Sequence, residues 1–226
     1  MGLIEPELRR RLAPVLDLLA ADPASLSSIR DPEEAWRVHV ADSLSGLELA
    51  GSPARLADIG SGGGFPGLAL AAALPDTRVD LIESVGRKCE FIERAAAAAG
   101  LANARVVCAR AEEWAARAAP EGGREAYEVA TARAVGRLAT LAELASPLLV
   151  RAGRLVAWKG RRDPAEEAEL ERAGPRVAMV AREVRWVGPY AGSRHRHLHL
   201  LAKSGPTPAE LPRRPGMAKK RPLGAR

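Results

Sequence analysis

Between residues 55 and 203, stretches typical of strands alternate with stretches typical of helices. Repeated strand–helix units predict a parallel sheet with helices on both faces. Only a short turn, 188–192, separates the last two strands, so an antiparallel hairpin is expected at one edge. The sequence therefore predicts an α/β domain with a mostly parallel seven-stranded sheet, whose strands are 55–59, 79–83, 105–108, 127–132, 154–158, 176–187 and 195–203.

The chain before the sheet carries helix signals and no strand signal. Asp31-Pro32-Glu33-Glu34 combines a capping residue, a proline at the first helical position and acids in the first turn. Apolar side chains also recur at helical spacing at Leu8, Leu12, Val15, Leu16 and Leu19. These patterns predict an N-terminal helical segment over residues 1–50, followed by the α/β domain over 51–203.

Residues 204–226 are predicted to be a basic, disordered tail, because they are rich in Pro, Gly, Arg and Lys. The formal net charge of the chain is +6, and the excess lies in the last residues. Two interpretations stay open for them, a solvated terminus and a segment that neutralises phosphates. The basic side chains are Lys203, Arg213, Arg214, Lys219, Lys220, Arg221 and Arg226, against the single acid Glu210.

Composition indicates a globular protein of a reducing compartment. Hydrophobic residues make up 47% of the chain, enough for a core without disulfides. Cys89 and Cys108 are far apart and form no CxxC motif, so neither a disulfide framework nor a metal site is expected. The N-terminus lacks the pattern of a signal peptide, and the longest apolar stretch, 68–74, is too short to span a bilayer. We expect a cytoplasmic protein without membrane contact.

The segment after the first strand is the most informative about function. It reads Asp58-Ile59-Gly60-Ser61-Gly62-Gly63-Gly64-Phe65-Pro66-Gly67, a strand end, a glycine-rich loop and a helix start. Glycines allow positive φ angles and close approach of a ligand to the backbone, as in loops that bind nucleotides. The segment therefore predicts a cofactor with a nucleoside.

Two cofactors compete for this loop. Gly62-x-Gly64-x-x-Gly67 formally fits a dinucleotide motif, in which a helix N-terminus meets a pyrophosphate. Gly60-x-Gly62-x-Gly64 preceded by Asp58 fits S-adenosylmethionine, and here Gly60 directly follows the strand. An acid at the strand end suits the ammonium of a methionine moiety and would repel a pyrophosphate. The register therefore favours S-adenosylmethionine, with Asp58 as one of its contacts.

Two further acids follow the next strands. Glu83 ends the second strand, where a carboxylate can accept hydrogen bonds from both ribose hydroxyls of either cofactor. After the third strand, Ala111 and Glu112 lie at the same sheet edge, where a backbone amide and the Glu112 carboxylate are expected to bind the adenine. Glu113 is the alternative acid, or else a charge at a helix start. The sequence does not decide between these two.

Together these residues resemble a known family, the bacterial small-subunit ribosomal RNA guanine-N7 methyltransferases, called RsmG or glucose-inhibited division protein B. The similarity runs from about residue 31 to 203, and the Gly64-Phe65-Pro66-Gly67 ending is its most specific part. The other matching segments are His39-Val40-Ala41-Asp42-Ser43-Leu44, Glu83-Ser84-Val85-Gly86-Arg87-Lys88, Arg110-Ala111-Glu112-Glu113, Ala132-Arg133-Ala134 and Trp158-Lys159-Gly160.

The resemblance implies a class I S-adenosylmethionine-dependent methyltransferase fold, which is Rossmann-like. It implies 16S rRNA or the small ribosomal subunit as the partner, with S-adenosyl-L-methionine as the cofactor. No obligate protein partner is indicated, and a monomer is the simplest state. Cofactor contacts are implied at the positions that match the family's pattern, Gly60, Phe65, Ala111, Glu112 and Arg133.

The chemistry of N7 methylation assigns two catalytic candidates. Guanine N7 carries a lone pair and no hydrogen, so it can attack the methyl group without a general base. Arg133 follows the fourth strand, where the transferred methyl is expected, and should contact the cofactor or the target. Lys159 follows the fifth strand and is expected to bind the guanine O6 or a phosphate, or else to be a strand-end lysine with a solvated ammonium.

Three other functions stay open at this point. One is a methyltransferase that acts on a small molecule or a protein. Another is an NAD-dependent oxidoreductase that uses the Gly62-x-Gly64-x-x-Gly67 spacing. The last is a ribosome-binding module that keeps the fold without activity.

Overall fold

A computed structural model describes residues 5–23 and 26–224. The first elements are helical, as predicted: α1 is Pro6–Ala21, α2 is Pro32–Ala35, and α3 and α4 are Asp42–Leu44 and Leu47–Ala50. A π-helical stretch, Trp36–Ala41, joins α2 to α3. The Asp31 carboxylate caps α2 by accepting a hydrogen bond from the Glu34 amide at 2.7 Å.

The sheet has the predicted number of strands. In chain order they are β1 Arg55–Ile59, β2 Arg78–Glu83, β3 Ala104–Cys108, β4 Tyr127–Arg133, β5 Leu149–Lys159, β6 Met179–Trp186 and β7 His197–Lys203. Their order in the sheet is β3-β2-β1-β4-β5-β7-β6. The first five strands are parallel, and β7 runs antiparallel between β5 and β6, which confirms the predicted edge hairpin.

The remaining helices cover the two faces of the sheet. They are α5 Gly67–Ala73, α6 Gly86–Ala98, α7 Ala111–Ala115, α8 Leu138–Ala145, α9 Pro164–Val177 and α10 Met217–Lys220. The strand predicted from residue 176 begins only at Met179, because α9 continues past Pro175 and ends at Ala178, a left-handed residue with φ 52°. Within the described part of the chain, no helix combines the length and apolar character that crossing a membrane requires.

Two hydrophobic cores lie on opposite faces of the sheet. One includes α5 and α6 together with the N-terminal helices, whose Leu12, Val15 and Val40 are fully buried. The other includes α7, α8 and α9, with Leu138 and Leu141 among its buried residues. The predicted N-terminal helical segment therefore shares a core with the sheet.

The expectation of a disordered tail is wrong for residues 204–224. Leu211 and Ala218 are buried, and the Arg213 guanidinium forms two hydrogen bonds with the Glu143 carboxylate of α8, both at 2.6 Å. Composition indicated a solvated segment because it counts charges without their partners. Here the apolar residues enter the core beside α8 and a buried acid neutralises the arginine.

A buried hydrogen-bonded group joins β1, β4 and α5. Asp58 in β1 lies opposite Thr131 in β4, and both are fully buried. The Asp58 carboxylate accepts hydrogen bonds from the Thr131 hydroxyl at 2.8 Å and from the Gly67 amide at 3.1 Å. A side chain at Gly67 would lie 2.8 Å from the same carboxylate, so only glycine lets α5 start this close. The acid therefore sets where the loop returns to the sheet.

Thr131→Val tests this group. The variant keeps the shape of the side chain but leaves a buried carboxylate oxygen without its donor, so we expect the free energy of unfolding to fall by about 1–3 kcal/mol. Urea unfolding measures it, and Thr131→Ser, which keeps the hydroxyl, is the matched control. A valine variant as stable as the serine variant would contradict the role assigned to the hydroxyl.

Candidate functional site

The glycine-rich loop turns back from β1 over the carboxyl end of the sheet. Gly60, Gly62 and Gly64 all have positive φ angles, of 67°, 58° and 91°. The Gly60 amide donates to the Ile82 carbonyl of β2 at 2.8 Å, which fixes the start of the loop. A Cβ atom at Gly60 would lie 2.7 Å from a methyl group of Val135, so a larger residue there clashes as well as being strained.

Glu83 is held in place by backbone amides at the end of β2. Its carboxylate accepts hydrogen bonds from Gly62 at 3.0 Å, Ser84 at 2.7 Å and Val85 at 2.9 Å. The side chain is almost fully buried and still forms part of a cavity wall. These amides connect the predicted ribose acid to the loop, so the two move as one unit.

A first cavity of about 470 Å³ lies between the loop, the end of β2 and the start of α7. It brings together Gly60, Glu83, Ala111 and Glu112, four of the predicted cofactor residues. Its volume lies within the range usual for sites that bind small molecules and cofactors. Other lining residues come from the chain after β4, including Val135, and from the C-terminal residues.

The structure distinguishes Glu112 from Glu113. Glu113 Oε2 accepts the Arg110 amide at 3.2 Å, so this acid caps the helix that carries it. Glu112 lines the first cavity, and its Oε1 accepts the Gly216 amide at 2.7 Å. Only Glu112 lies on the cavity wall, which favours it over Glu113 as the acid near an adenine.

Asp58 requires a correction. Predicted as a contact of the cofactor ammonium, it has no exposed surface, and both of its oxygens accept hydrogen bonds from protein groups. Burial raises its pKa above the ordinary value, and the hydrogen bonds from Thr131, Ser61 and Gly67 act in the opposite direction. The acid therefore shapes the loop from beneath rather than touching a ligand.

Of the other loop residues, Gly62 and Gly64 form the turns and are not part of the first cavity wall. Phe65 is also buried, and its ring stacks on the imidazole of His39, with ring centres 5.2 Å apart. The loop thus connects the first cavity to a second one on the side of the N-terminal helices.

The second cavity, of about 380 Å³, lies between the π-helical stretch and the ends of β4 and β5. It contains both predicted catalytic residues, Arg133 and Lys159, at their strand ends. Sequence reasoning left the other polar residues of its wall without a site role, although the first two belong to the family motif 39–44. They are His39, Asp42 and Arg196.

Arg133 connects the sheet to the N-terminal helices. Its guanidinium donates to the Asp42 carboxylate at 2.9 Å, to the Val38 carbonyl at 3.1 Å and to the Ser43 hydroxyl at 3.3 Å. Arg196 forms a second ion pair with Asp42, at 3.3 Å. The position of Arg133 is therefore fixed by the segment that supplies the opposite wall of the cavity.

Lys159 is also paired. Its ammonium donates to the Glu166 carboxylate at 2.7 Å and to the Gly136 carbonyl at 3.0 Å. The alternative of a solvated strand-end lysine does not hold, because a buried acid and the chain after β4 bind the ammonium. Its expected contact with a base or a phosphate stays a prediction.

His39 is held as a neutral ring. Burial and the nearby charge of Arg133 lower its pKa from the ordinary value of 6.5 to about 4. Its Nε2 atom is 2.9 Å from the Ser27 hydroxyl, and its ring lies against Phe65. At neutral pH the cavity wall therefore offers a flat uncharged surface beside the guanidinium of Arg133.

The two cavities meet at the end of β4. Arg133 and Ala134 line the second cavity, whereas Val135 lines the first. Ala134 has a left-handed backbone, with φ 59°, which turns the chain from one cavity to the other. Groups held in the two cavities would face each other across this turn. Among the described residues, no cluster of three or more His, Cys, Asp or Glu side chains could hold a metal ion.

Comparison with known proteins decides the family. The family model described as rRNA small subunit methyltransferase G matches residues 16–190. The chain belongs to this family. The ribosomal RNA small subunit methyltransferase G of Roseiflexus castenholzii is 42% identical over 202 residues, which cover 88% of this chain and 84% of that one. The protein of the same name from Chloroflexus aggregans is 41% identical over 206 residues, covering 89% and 84%.

Solved structures agree on the fold. A SAM-dependent methyltransferase from Aquifex aeolicus matches with a TM-score of 0.59 at 15% identity, over 81% of this chain and 99% of that chain. MtNAS in complex with S-adenosylmethionine matches with a TM-score of 0.56 at 10% identity, over 88% and 73%. The predicted class I fold is confirmed. With the family shown, the chain is an S-adenosylmethionine-dependent methyltransferase, and the oxidoreductase alternative is set aside.

Gly60→Asp tests the first cavity. The new side chain would clash with Val135 and place a negative charge in the cavity, so we expect binding of S-adenosylmethionine to be lost in calorimetry. Gly100→Asp is the matched control, since Gly100 also has a positive φ, of 64°, but has open space around it and lies after α6. Undiminished binding by the Gly60 variant would refute the assignment of the loop.

His39→Gln tests the neutral histidine. A ring with a folded-state pKa of about 4 gains a proton on unfolding between that value and 6.5, so stability falls as the pH drops through this interval. The unfolding free energy of the variant should therefore decrease less than that of the wild type between about pH 7.5 and about pH 4.5. His195→Gln, at an exposed position, is the control. Equal decreases in all three proteins would contradict the prediction.

Proposed function

We propose that this protein transfers the methyl group of S-adenosylmethionine to N7 of a guanine in 16S rRNA. The observation that carries the proposal is the pair of cavities that meet at the end of β4. One has the acids that suit a nucleoside cofactor, and the other has the cations and the flat ring that suit a purine. Family membership supports ribosomal RNA of the small subunit as the substrate.

The first cavity fits the cofactor. The Glu83 carboxylate, fixed by three amides, lies where the ribose hydroxyls can donate to it, and Glu112 lies where an adenine amino group can. When bound, S-adenosylmethionine supplies a methyl group on a positively charged sulfur. The loop from Gly60 and the turn at Ala134 leave the sulfur end of the cavity next to the second cavity.

The second cavity fits a guanine by its hydrogen bonds. On its major-groove edge guanine presents two acceptors, O6 and N7. Arg133, Lys159 and Arg196 present only donors, so they are suited to hold O6 while N7 stays free to react. The buried pairing of Arg133 with Asp42 keeps the guanidinium in one orientation, which favours alignment of the base over tight binding.

The reaction requires no proton acceptor, because N7 has no proton to lose. The neutral His39 agrees with this, and its ring next to Phe65 offers a stacking surface for a base. The enclosed position of the second cavity also indicates an unpaired guanine. In an A-form helix the groove that carries N7 is too deep and narrow for side chains to enter. We expect the target to lie in a loop or to be turned out of its stack.

The experiment that tests the proposal is mapping of the methylated nucleotide. Small ribosomal subunits from cells that lack this enzyme, and the 16S rRNA extracted from them, are incubated with the protein and labelled cofactor. We expect label at N7 of one guanine, detected by mass spectrometry of the digested RNA. Label in protein or in a small molecule, and none in RNA, would overturn the proposal. We also propose that the enzyme acts as a monomer in the cytoplasm, where ribosomal subunits are found.

Arg133→Ala tests the second cavity. Loss of the guanidinium removes a donor to the base and leaves Asp42 with one cation fewer, so we expect turnover to fall at least about tenfold. Single-turnover methylation of 16S rRNA measures the effect. Arg151→Ala is the control, because that arginine is exposed near the opposite end of β5. Turnover of the Arg133 variant at the wild-type rate would rule out the role assigned to it.

A further inference from the structure

The C-terminal residues form one side of the first cavity. We call residues 211–220 the C-terminal strap. Pro215, Gly216, Ala218, Lys219 and Lys220 of the strap line the cavity together with the loop, the end of β2 and the start of α7. The matched family model ends at residue 190, so it does not include the strap. The acids assigned to the cofactor likewise come from elements before it.

Buried contacts with α8 hold the strap in place. Arg213 binds Glu143 through two parallel hydrogen bonds of 2.6 Å, and Glu143 is 3% exposed. Paired hydrogen bonds of this type fix the planes of both groups. The Ala218 carbonyl accepts the Thr140 hydroxyl at 3.2 Å, and the Leu211 side chain is buried in the core beside α8. The docked position of the strap therefore depends on a buried ion pair outside the cavity.

The strap also binds one of the predicted cofactor acids. The Gly216 amide donates to Glu112 at 2.7 Å, which joins the strap to the start of α7. Gly216 has φ 81°, a backbone conformation that favours glycine. A carboxylate can accept about four hydrogen bonds, so Glu112 keeps acceptor sites for an adenine amino group. The bond restricts where the carboxylate can point.

We propose that the C-terminal strap is part of the cofactor site. Pro215 and Ala218 supply an apolar surface for the adenosine part of S-adenosylmethionine, and the Gly216 amide orients Glu112 toward it. Arg213 is a positioning residue: it lines no part of the cavity, yet it holds the strap against α8. The proposal rests on the cofactor of the family and not on the identity of the RNA target.

The test is the affinity of the full chain for S-adenosylhomocysteine and for adenosine. Arg213→Ala should weaken both by about tenfold in calorimetry, because both ligands carry the adenosine that the strap contacts. Arg214→Ala is the matched control, since its neighbouring side chain is exposed. Unchanged affinity of the Arg213 variant, or tighter binding, would overturn the proposal. An equal loss in the Arg214 variant would overturn it as well.

Charge reversal separates positioning from folding. The double variant Arg213→Glu with Glu143→Arg keeps an ion pair at this place, so it should recover most of the affinity that Arg213→Glu alone loses. Circular dichroism and thermal unfolding establish that each variant is folded at the temperature of the binding measurement. A folded double variant that binds as weakly as Arg213→Glu would contradict the role of the pair.

Trypsin cleavage of the wild-type chain is an independent measurement that needs no variant. Lys219 and Lys220 are exposed and lie on the cavity wall. S-adenosylhomocysteine should slow cleavage after both lysines relative to cleavage after Arg151, which is exposed and far from the cavity. An equal rate of strap cleavage with and without saturating ligand would overturn the proposal. Failure of the wild type to bind the ligand would instead sink the cofactor assignment itself.

Discussion

The buried carboxylate of Asp58 is the constraint on which the rest of the site depends. It takes one hydrogen bond from β4, through Thr131, and one from the start of α5, through Gly67. A charged or polar group without partners at this depth would destabilise the fold. The loop from Gly60 must therefore leave β1, pass the end of β2 and return to meet the acid. The Glu83 carboxylate, bound to the Gly62 amide, completes this path and places its own oxygens at the cavity wall.

A second interaction makes the substrate side composite. Arg133 leaves the sheet at the end of β4 but forms its hydrogen bonds with the N-terminal helices, at Val38, Asp42 and Ser43. The π-helical stretch thereby becomes a wall of the second cavity as well as a cover for the core. This explains in physical terms why a motif in a helix far from the glycine-rich loop belongs with the residues at the strand ends.

Sequence patterns predicted what depends on local periodicity and missed what depends on partners distant in the chain. Strand alternation and the loop register were sufficient for the sheet and for the acids at its carboxyl edge. The same patterns misassigned Asp58, because a carboxylate at a strand end has the same sequence signature whether it faces a ligand or a threonine 73 residues away. Disorder of the tail was predicted from charge alone, and the partner that orders it, Glu143, lies 70 residues before Arg213.

The order of the tail also changes where its positive charge acts. Arg213 is neutralised by Glu143 and contributes little to the surface field, whereas Arg214, Lys219 and Lys220 stay exposed. Since the two lysines line the first cavity, their charge is held beside the carboxyl edge of the sheet instead of being spread through a mobile chain. Fixed cations near a cavity attract an RNA backbone toward it more specifically than a flexible terminus does, because the phosphates they bind are at a defined distance from the site. Ordering of the strap thus links the enclosure of the cofactor to the approach of the RNA.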